Sequence, residues 1–195
     1  AAKQYLAQVA GILAGRGIRV VTDVRFGPAA PKILEHAEQS HASMIAMSTH
    51  GRSGLERLVH GSTAEAVLRQ TAVPLLLVRG TENVPAAPLS DTPLRILMPL
   101  DGTADGEEIL PYVRNLARRL HARVELLRVI EFIPVLHADE GVMEGAFDHA
   151  TLGASEYLRA IAARLRQEGI ETEQTVVRSS PADGILERAN SGSVN

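Results

Sequence analysis

The chain has 195 residues, 45% of them hydrophobic and 22% charged, enough apolar material for one large core or two small ones. A net charge of -3 supplies no field to draw nucleic acid or an anionic membrane, and 3% aromatics disfavours base-stacking platforms. The absence of cysteine removes disulfides and thiolate metal sites and fits a reducing cytosol, and no apolar run nears the roughly 20 residues that span a bilayer.

Taken in order, the pattern predicts a helix over 2–15, with Tyr5, Leu6, Val9, Ile12 and Leu13 on one face. A strand follows at 18–24. Pro28 stands near a helix start, where its missing N–H does no harm, and that helix runs to about Ser40. Strand 43–47 leads into a glycine-rich connection, then a helix over 63–70 and a strand over 74–78. Residues 80–93 carry three prolines and read as a linker. Strand 94–100, a helix over 105–120 and strand 122–130 come next. Residues 131–150 read as a mobile loop. Helix 151–168, strand 170–177 and helix 182–190 complete the chain. Strands alternating with amphipathic helices predict an α/β fold with a parallel sheet covered on both faces.

The chain repeats itself. "KQYLAQVAGILAGRGI" from Lys3 aligns with "SEYLRAIAARLRQEGI" from Ser155 without a gap, so that Leu13, Gly17 and Ile18 match Leu165, Gly169 and Ile170. Pro28 then matches Pro181, and Ile33-Leu34-Glu35 matches Ile185-Leu186-Glu187. Two amphipathic helices can match by chance. The recurrence of helix, glycine turn, strand, proline and helix in one order favours an internal duplication. Each copy lacks what the other has at its far end. The pattern therefore predicts a strand ending in Asp upstream of Ala1, and a second glycine loop downstream of Asn195.

Two stretches carry candidate chemistry. The first is Ser48-Thr49-His50-Gly51, leaving the carboxyl end of a strand, followed by Gly61-Ser62-Thr63 at a helix start. Ligands of open parallel sheets bind beyond the carboxyl ends of strands. Glycine lets a ligand approach the backbone, and a helix N-terminus with hydroxyls beside it suits phosphate. The plainer alternative is that Ser62-x-x-Glu65 is a capping box, which needs no ligand. The second stretch is "ILMPLDGTADGEE". Its Asp101 follows an apolar run and can accept hydrogen bonds from a ribose or base edge; taken alone, it reads better as a turn-forming Asp-Gly pair that starts a helix. A calcium loop is rejected, because Thr103 sits third and Tyr112 falls where a bidentate glutamate is needed.

On these residues the chain resembles the universal stress protein family, in its tandem form with two UspA-like units, here cut at both ends. Nucleotide-binding members carry G-x2-G-x9-G-[ST]; this chain has Ser48-x2-Gly51-x9-Gly61-Ser62, with serine at the first glycine. The family's first strand ends apolar-Pro-apolar-Asp, matched by Met98-Pro99-Leu100-Asp101. Its second strand commonly reads "LLHV", matched by Leu126-Leu127-Arg128-Val129. The resemblance implies a Rossmann-like parallel sandwich of the adenine nucleotide alpha hydrolase kind, ordered 3-2-1-4-5. Residues 1–80 would be the C-terminal part of a first unit, 81–93 a linker, and 94–195 the N-terminal part of a second. It implies ATP as ligand, with or without magnesium. Asp101 and Val129 would hold adenine and ribose; Gly51, Gly61, Ser62 and Thr63 would hold phosphates, with Met47, Ser48 and Thr49 alongside.

No G-x4-G-K-[ST], G-x-G-x-x-G, H-E-x-x-H or G-x-S-x-G is present, and Lys3 and Lys32 are the only lysines. His50 and His60 read as polar loop residues. The leading expectation is therefore a cytoplasmic, non-enzymatic ATP-binding stress-response protein; slow hydrolysis stays open. It would form a homo-oligomer or an intramolecular pseudo-dimer and engage neither nucleic acid nor membrane. The alternatives are a nucleotide-free dimerising module, which Ser48 favours, and an ATP-using enzyme, for which a catalytic lysine is missing. One topology is also raised, in which strands 43–47 and 94–100 pair and the two part-units share one permuted sheet.

Overall fold

The structure, a computed structural model, describes residues 1–48, 62–78, 94–131 and 140–191. The chain divides into two compact units, Ala1–Pro85 and Ala86–Asn195. Both are α/β with parallel strands.

In the first unit, helix α1 (Ala2–Ala14) is followed by α2 (Ala29–Gln39), strand β1 (Ile45–Ser48), α3 (Ser62–Gln70) and β2 (Leu75–Val78). β1 and β2 pair in parallel, with Ile45 opposite Leu75 and Ser48 opposite Val78. Their shared core is Ala30, Ile45 and Val67, with Ile33, Leu34, Met47 and Leu75 packed around it. The α1 helix buries no residue. The segment 18–24 is not a strand. No described strand pairs with it, and Val21 is 90% exposed, with Phe26 just beyond the segment at 89%. Period-two patterning makes a segment fit for pairing; a strand exists only where a neighbour accepts its N–H groups.

The second unit contains β3 (Arg95–Pro99), α4 (Ala104–Glu107), α5 (Leu110–Leu120), β4 (Arg123–Ile130), α6 (Glu140–Gln167), β5 (Thr172–Arg178) and α7 (Pro181–Ser191). Its sheet is ordered β3-β4-β5, all parallel. Val124 and Leu126 face α5 and α6 in a core with Met98, Val113, Leu158, Ile161 and Leu165. The alternate residues Glu125, Leu127 and Val129 face α7. Gly184 makes that approach close: a Cβ there would lie 3.1 Å from both Val129 methyls. The expected helix over 105–120 is broken between Glu107 and Leu110, because Pro111 sits in the first turn of α5 and has no N–H to continue the bonding. The expected loop over 131–150 is helical from Glu140; residues 132–139 lie outside the described residues.

β1 and β3 lie in different sheets, so the permuted five-stranded sheet is not formed. Each unit closes its own apolar cluster, although Leu76 and Val78 on β2 stay half exposed. The orders β5-β4-β3 and β1-β2 correspond to the first three and last two places of the expected 3-2-1-4-5 order, on separate sheets. The matched repeats end in the same way. Gly17 and Gly169 adopt φ of +77° and +78°, and Ile18 and Ile170 each donate at 3.1 Å to the carbonyl five residues earlier, Leu13 or Leu165. This is the glycine-capped helix end that positive φ permits.

One buried charge fixes α7. Glu125, 1% exposed on β4, accepts from Thr175 of β5 at 2.8 Å and from Arg188 of α7, and pairs with Arg95 of β3 at 3.4 Å. Removing the carboxylate leaves two arginines facing an apolar gap. Glu125→Ala is expected to destabilise the unit by about 2 kcal/mol, below the value for a wholly buried pair because Arg95 and Arg188 stay 31% and 32% exposed. Urea unfolding followed by circular dichroism measures this; a loss within about 0.5 kcal/mol would mean the network carries no stability.

Candidate functional site at the carboxyl ends of β3 and β4

The site is built where β3 stops. Its apolar residues pair with β4 up to Leu100, whose N–H donates to the Leu127 carbonyl at 2.8 Å. The chain then turns. Asp101 Oδ1 accepts from the Thr103 N–H at 2.9 Å and from the Thr103 hydroxyl at 2.6 Å. The same hydroxyl caps α4 by accepting from the Gly106 N–H at 3.0 Å. Gly102 adopts φ +81°, and Gly106 is needed because a Cβ there would lie 2.4 Å from Asp101 Oδ1. The turn-forming reading of Asp101 thus describes one of its oxygens. The other, Oδ2, has no partner among the described residues.

The Thr103 hydroxyl holds the Asp101 carboxyl below its ordinary range, with the Thr103 N–H and the nearby Arg128 charge acting in the same direction. Asp101 is an exposed, ionised carboxylate at neutral pH. Val129 lies half-buried on the adjacent strand at the same end of the sheet. Arg128 reaches back across β4, its Nη1 donating to the Leu100 carbonyl at 3.1 Å. Behind them stands α6, 28 residues and about 42 Å long, which overshoots the seven-residue β5. Phe147 of its N-terminal half stacks under the Arg178 guanidinium, 4.4 Å from ring centre to Cζ, at the end of β5.

Asp101 and Val129 are therefore brought together. Ser62 and Thr63 open α3 in the first unit, exposed and half-exposed respectively, above buried Ala64 and Val67. Glu65 pairs with Arg69 one turn on, at 2.8 Å. Ser48 ends β1, and Met47 packs against the first unit's core. Thr49, Gly51 and Gly61 lie outside the described residues. Sequence reasoning gave no role to Thr103, Arg128 or Tyr157. Thr103 had a signal, a hydroxyl three residues before Gly106 at a helix start; the other two act through folding contacts.

Tyr157 of α6 places its hydroxyl in this region, shielded from solvent and without a partner in bonding geometry among the described residues. Burial, then the Glu107 carboxylate, push the phenol up to about 12 from 10.0. The folded state thus keeps a proton that the unfolded chain releases. The stability this contributes is complete below pH 10 and is lost as pH rises through about 12. Urea midpoints are expected to fall over that interval, and Tyr157→Phe to flatten the fall; an identical alkaline fall in both proteins would contradict the placement.

The family model described as "Universal stress protein family" matches residues 1–79 and 94–195. A universal stress protein of Methanocaldococcus jannaschii is 40% identical over 63 residues, 32% of this chain and 37% of that protein. The universal stress protein YxiE of Bacillus subtilis is 33% identical over 66 residues, 34% of this chain and 45% of that protein. Among solved structures, a universal stress protein from Archaeoglobus fulgidus superposes with a TM-score of 0.68 at 21% identity, covering 98% of this chain and 62% of the other. One from Pseudomonas aeruginosa, titled a putative universal stress protein, superposes with a TM-score of 0.66 at 16% identity, covering 97% and 63%. The chain thus spans about three fifths of these solved structures, and its matches reach less than half of those two sequence relatives. With matching strand ends, matching glycine spacing and a family match over both units, the chain belongs to the universal stress protein family.

Proposed function

We propose that the protein is a nucleotide-responsive stress protein whose ligand is ATP, bound as a regulator rather than consumed. In this reading Asp101 and Val129 of the second unit take the ribose and adenine edge of a nucleotide bound there, and, in the first unit, Gly51, Gly61, Ser62 and Thr63 are the family's phosphate positions, with Met47, Ser48 and Thr49 beside them. Residues 1–80 and 94–195 would be parts of two family units joined by 81–93, and the working compartment the cytoplasm. Magnesium would travel with the triphosphate. Among the described residues no three acidic, histidine or cysteine side chains converge as metal ligands, so the protein is not assigned a metal of its own.

The observation that carries the reading is Asp101. Its carboxylate is held ionised by Thr103, is fixed by a tight turn, and keeps Oδ2 available at the sheet end where open α/β folds take ligands. A ribose hydroxyl pair needs such an acceptor, and a charged acceptor strengthens the bond.

A second reading is a nucleotide-free interaction module that works by homo-association. It is favoured by Ser48, whose side chain stands where nucleotide binders carry glycine, and by exposed Val21 and Phe26. No described helix is long and apolar enough to cross a membrane.

Calorimetry with ATP and with adenosine separates the readings. Asp101→Asn is expected to weaken both ligands by about tenfold, the usual worth of a charged hydrogen bond, while leaving the unfolding free energy within about 0.5 kcal/mol of wild type. Absence of heat from either ligand at millimolar concentration would reject the nucleotide reading and leave the module.

A further inference from the structure

Main-chain groups along a parallel strand alternate between neighbours. On β4 the odd-numbered residues turn toward β3: Arg123 N–H donates to the Leu94 carbonyl at 2.8 Å, and the Leu127 carbonyl accepts from Leu100 at 2.8 Å. The even-numbered residues turn toward β5, as in the bonds of Val124 N–H to Glu171 at 2.9 Å and of Ser179 N–H to the Ile130 carbonyl at 3.2 Å. The next bond toward β3 would run from the Val129 N–H to the Leu100 carbonyl. It is not made among the described residues. The Leu100 carbonyl accepts instead from Arg128 Nη1 at 3.1 Å. That guanidinium also lies against the turn, 3.8 Å from where a Cβ on Gly102 would stand.

We infer that Arg128 is a positioning residue: by bonding the Leu100 carbonyl and lying against the Gly102 turn, it holds that carbonyl turned away from the Val129 N–H, stops β3 from zipping one bond further along β4, and so keeps the Val129 N–H and C=O open to a flat heterocycle that offers an acceptor and a donor side by side. The purpose of this device rests on the nucleotide reading; its geometry does not. Guanidinium suits the task. It is planar, permanently charged and only a donor, so it satisfies a carbonyl without offering the Val129 N–H an acceptor. Its stem is half-buried beside the α6 face of the sheet. A side chain of similar length and no charge would keep that packing and release the carbonyl.

The test is amide hydrogen exchange by NMR on the full 195-residue chain, with ATP affinity measured in parallel, for wild type, Arg128→Met and Arg128→Lys. In Arg128→Met the Val129 amide is expected to exchange about fivefold more slowly or beyond, as one new hydrogen bond dictates, and ATP affinity to fall by a similar factor. In Arg128→Lys the ammonium still donates to Leu100, and Val129 is expected to exchange as in wild type. Val129 exchange that is unchanged in Arg128→Met overturns the inference, because the Gly102 turn alone would then hold the strand ends apart. Equal slowing in Arg128→Lys and Arg128→Met overturns it too, because a donor would not be what matters. Slowing confined to Arg128→Met, with no ATP binding by any of the three proteins, upholds the positioning role and rejects the nucleotide reading instead.

Discussion

Strand β4 runs through the second unit with Val124, Leu126 and Leu127 fully screened from water, and a strand buried on both faces must find partners inside the protein for every main-chain N–H and C=O. That requirement places β3 on one side and β5 on the other. It places α5 and α6 over Val124 and Leu126, and α7 against Glu125 and Val129 on the other face. It also explains why the one carboxylate on this strand, Glu125, is ringed by Arg95, Arg188 and Thr175: a charge so deep persists only where it is paired and bonded. Gly184 serves the same end by letting α7 come down onto Val129.

Where β3 turns away at Asp101, the requirement goes unmet on one side of β4. Unmet main-chain pairing at the edge of a buried strand is costly in an empty fold and useful in a binding one. Here it stands beside an ionised carboxylate and a shielded phenol. The second unit's sheet and the candidate site thus share one cause: the central strand outlasts its neighbour by a few residues, and Val129 is among those left over.

The sequence made much of this legible, for reasons that can be named. An apolar run closing on Asp is what a buried strand meeting water must look like, so β3 and its end at Asp101 were readable from patterning alone, while a ligand role for Asp101 came only with the family resemblance. The glycine turns at Gly17 and Gly169 were readable because positive φ restricts the residue type. Segment 18–24 carries the same pattern as β5, yet a pattern states what a strand would bury and not whether a partner is there. The N-terminal half of α6 was hidden by Gly145 and mixed charge. Its helical face becomes plain once Phe147 is seen stacked on Arg178, and that is a tertiary contact. Arg128 was quoted as part of a strand motif and given no task, because its task depends on a carbonyl 28 residues earlier in the chain.

The second unit presents a strand end whose polar groups are placed by the turn at Asp101, while the first offers hydroxyls at the start of α3 and, in its sequence, a glycine spacing. The central claim is that adenine lies against the exposed edge of β4. Intermolecular nuclear Overhauser effects between ATP and the isotope-labelled chain test it most directly. The account predicts cross-peaks from adenine H2 to the Val129 amide and methyl protons, and from the ribose protons to Asp101. At saturating ATP, cross-peaks confined to other residues, with none to Val129 or Asp101, would contradict it.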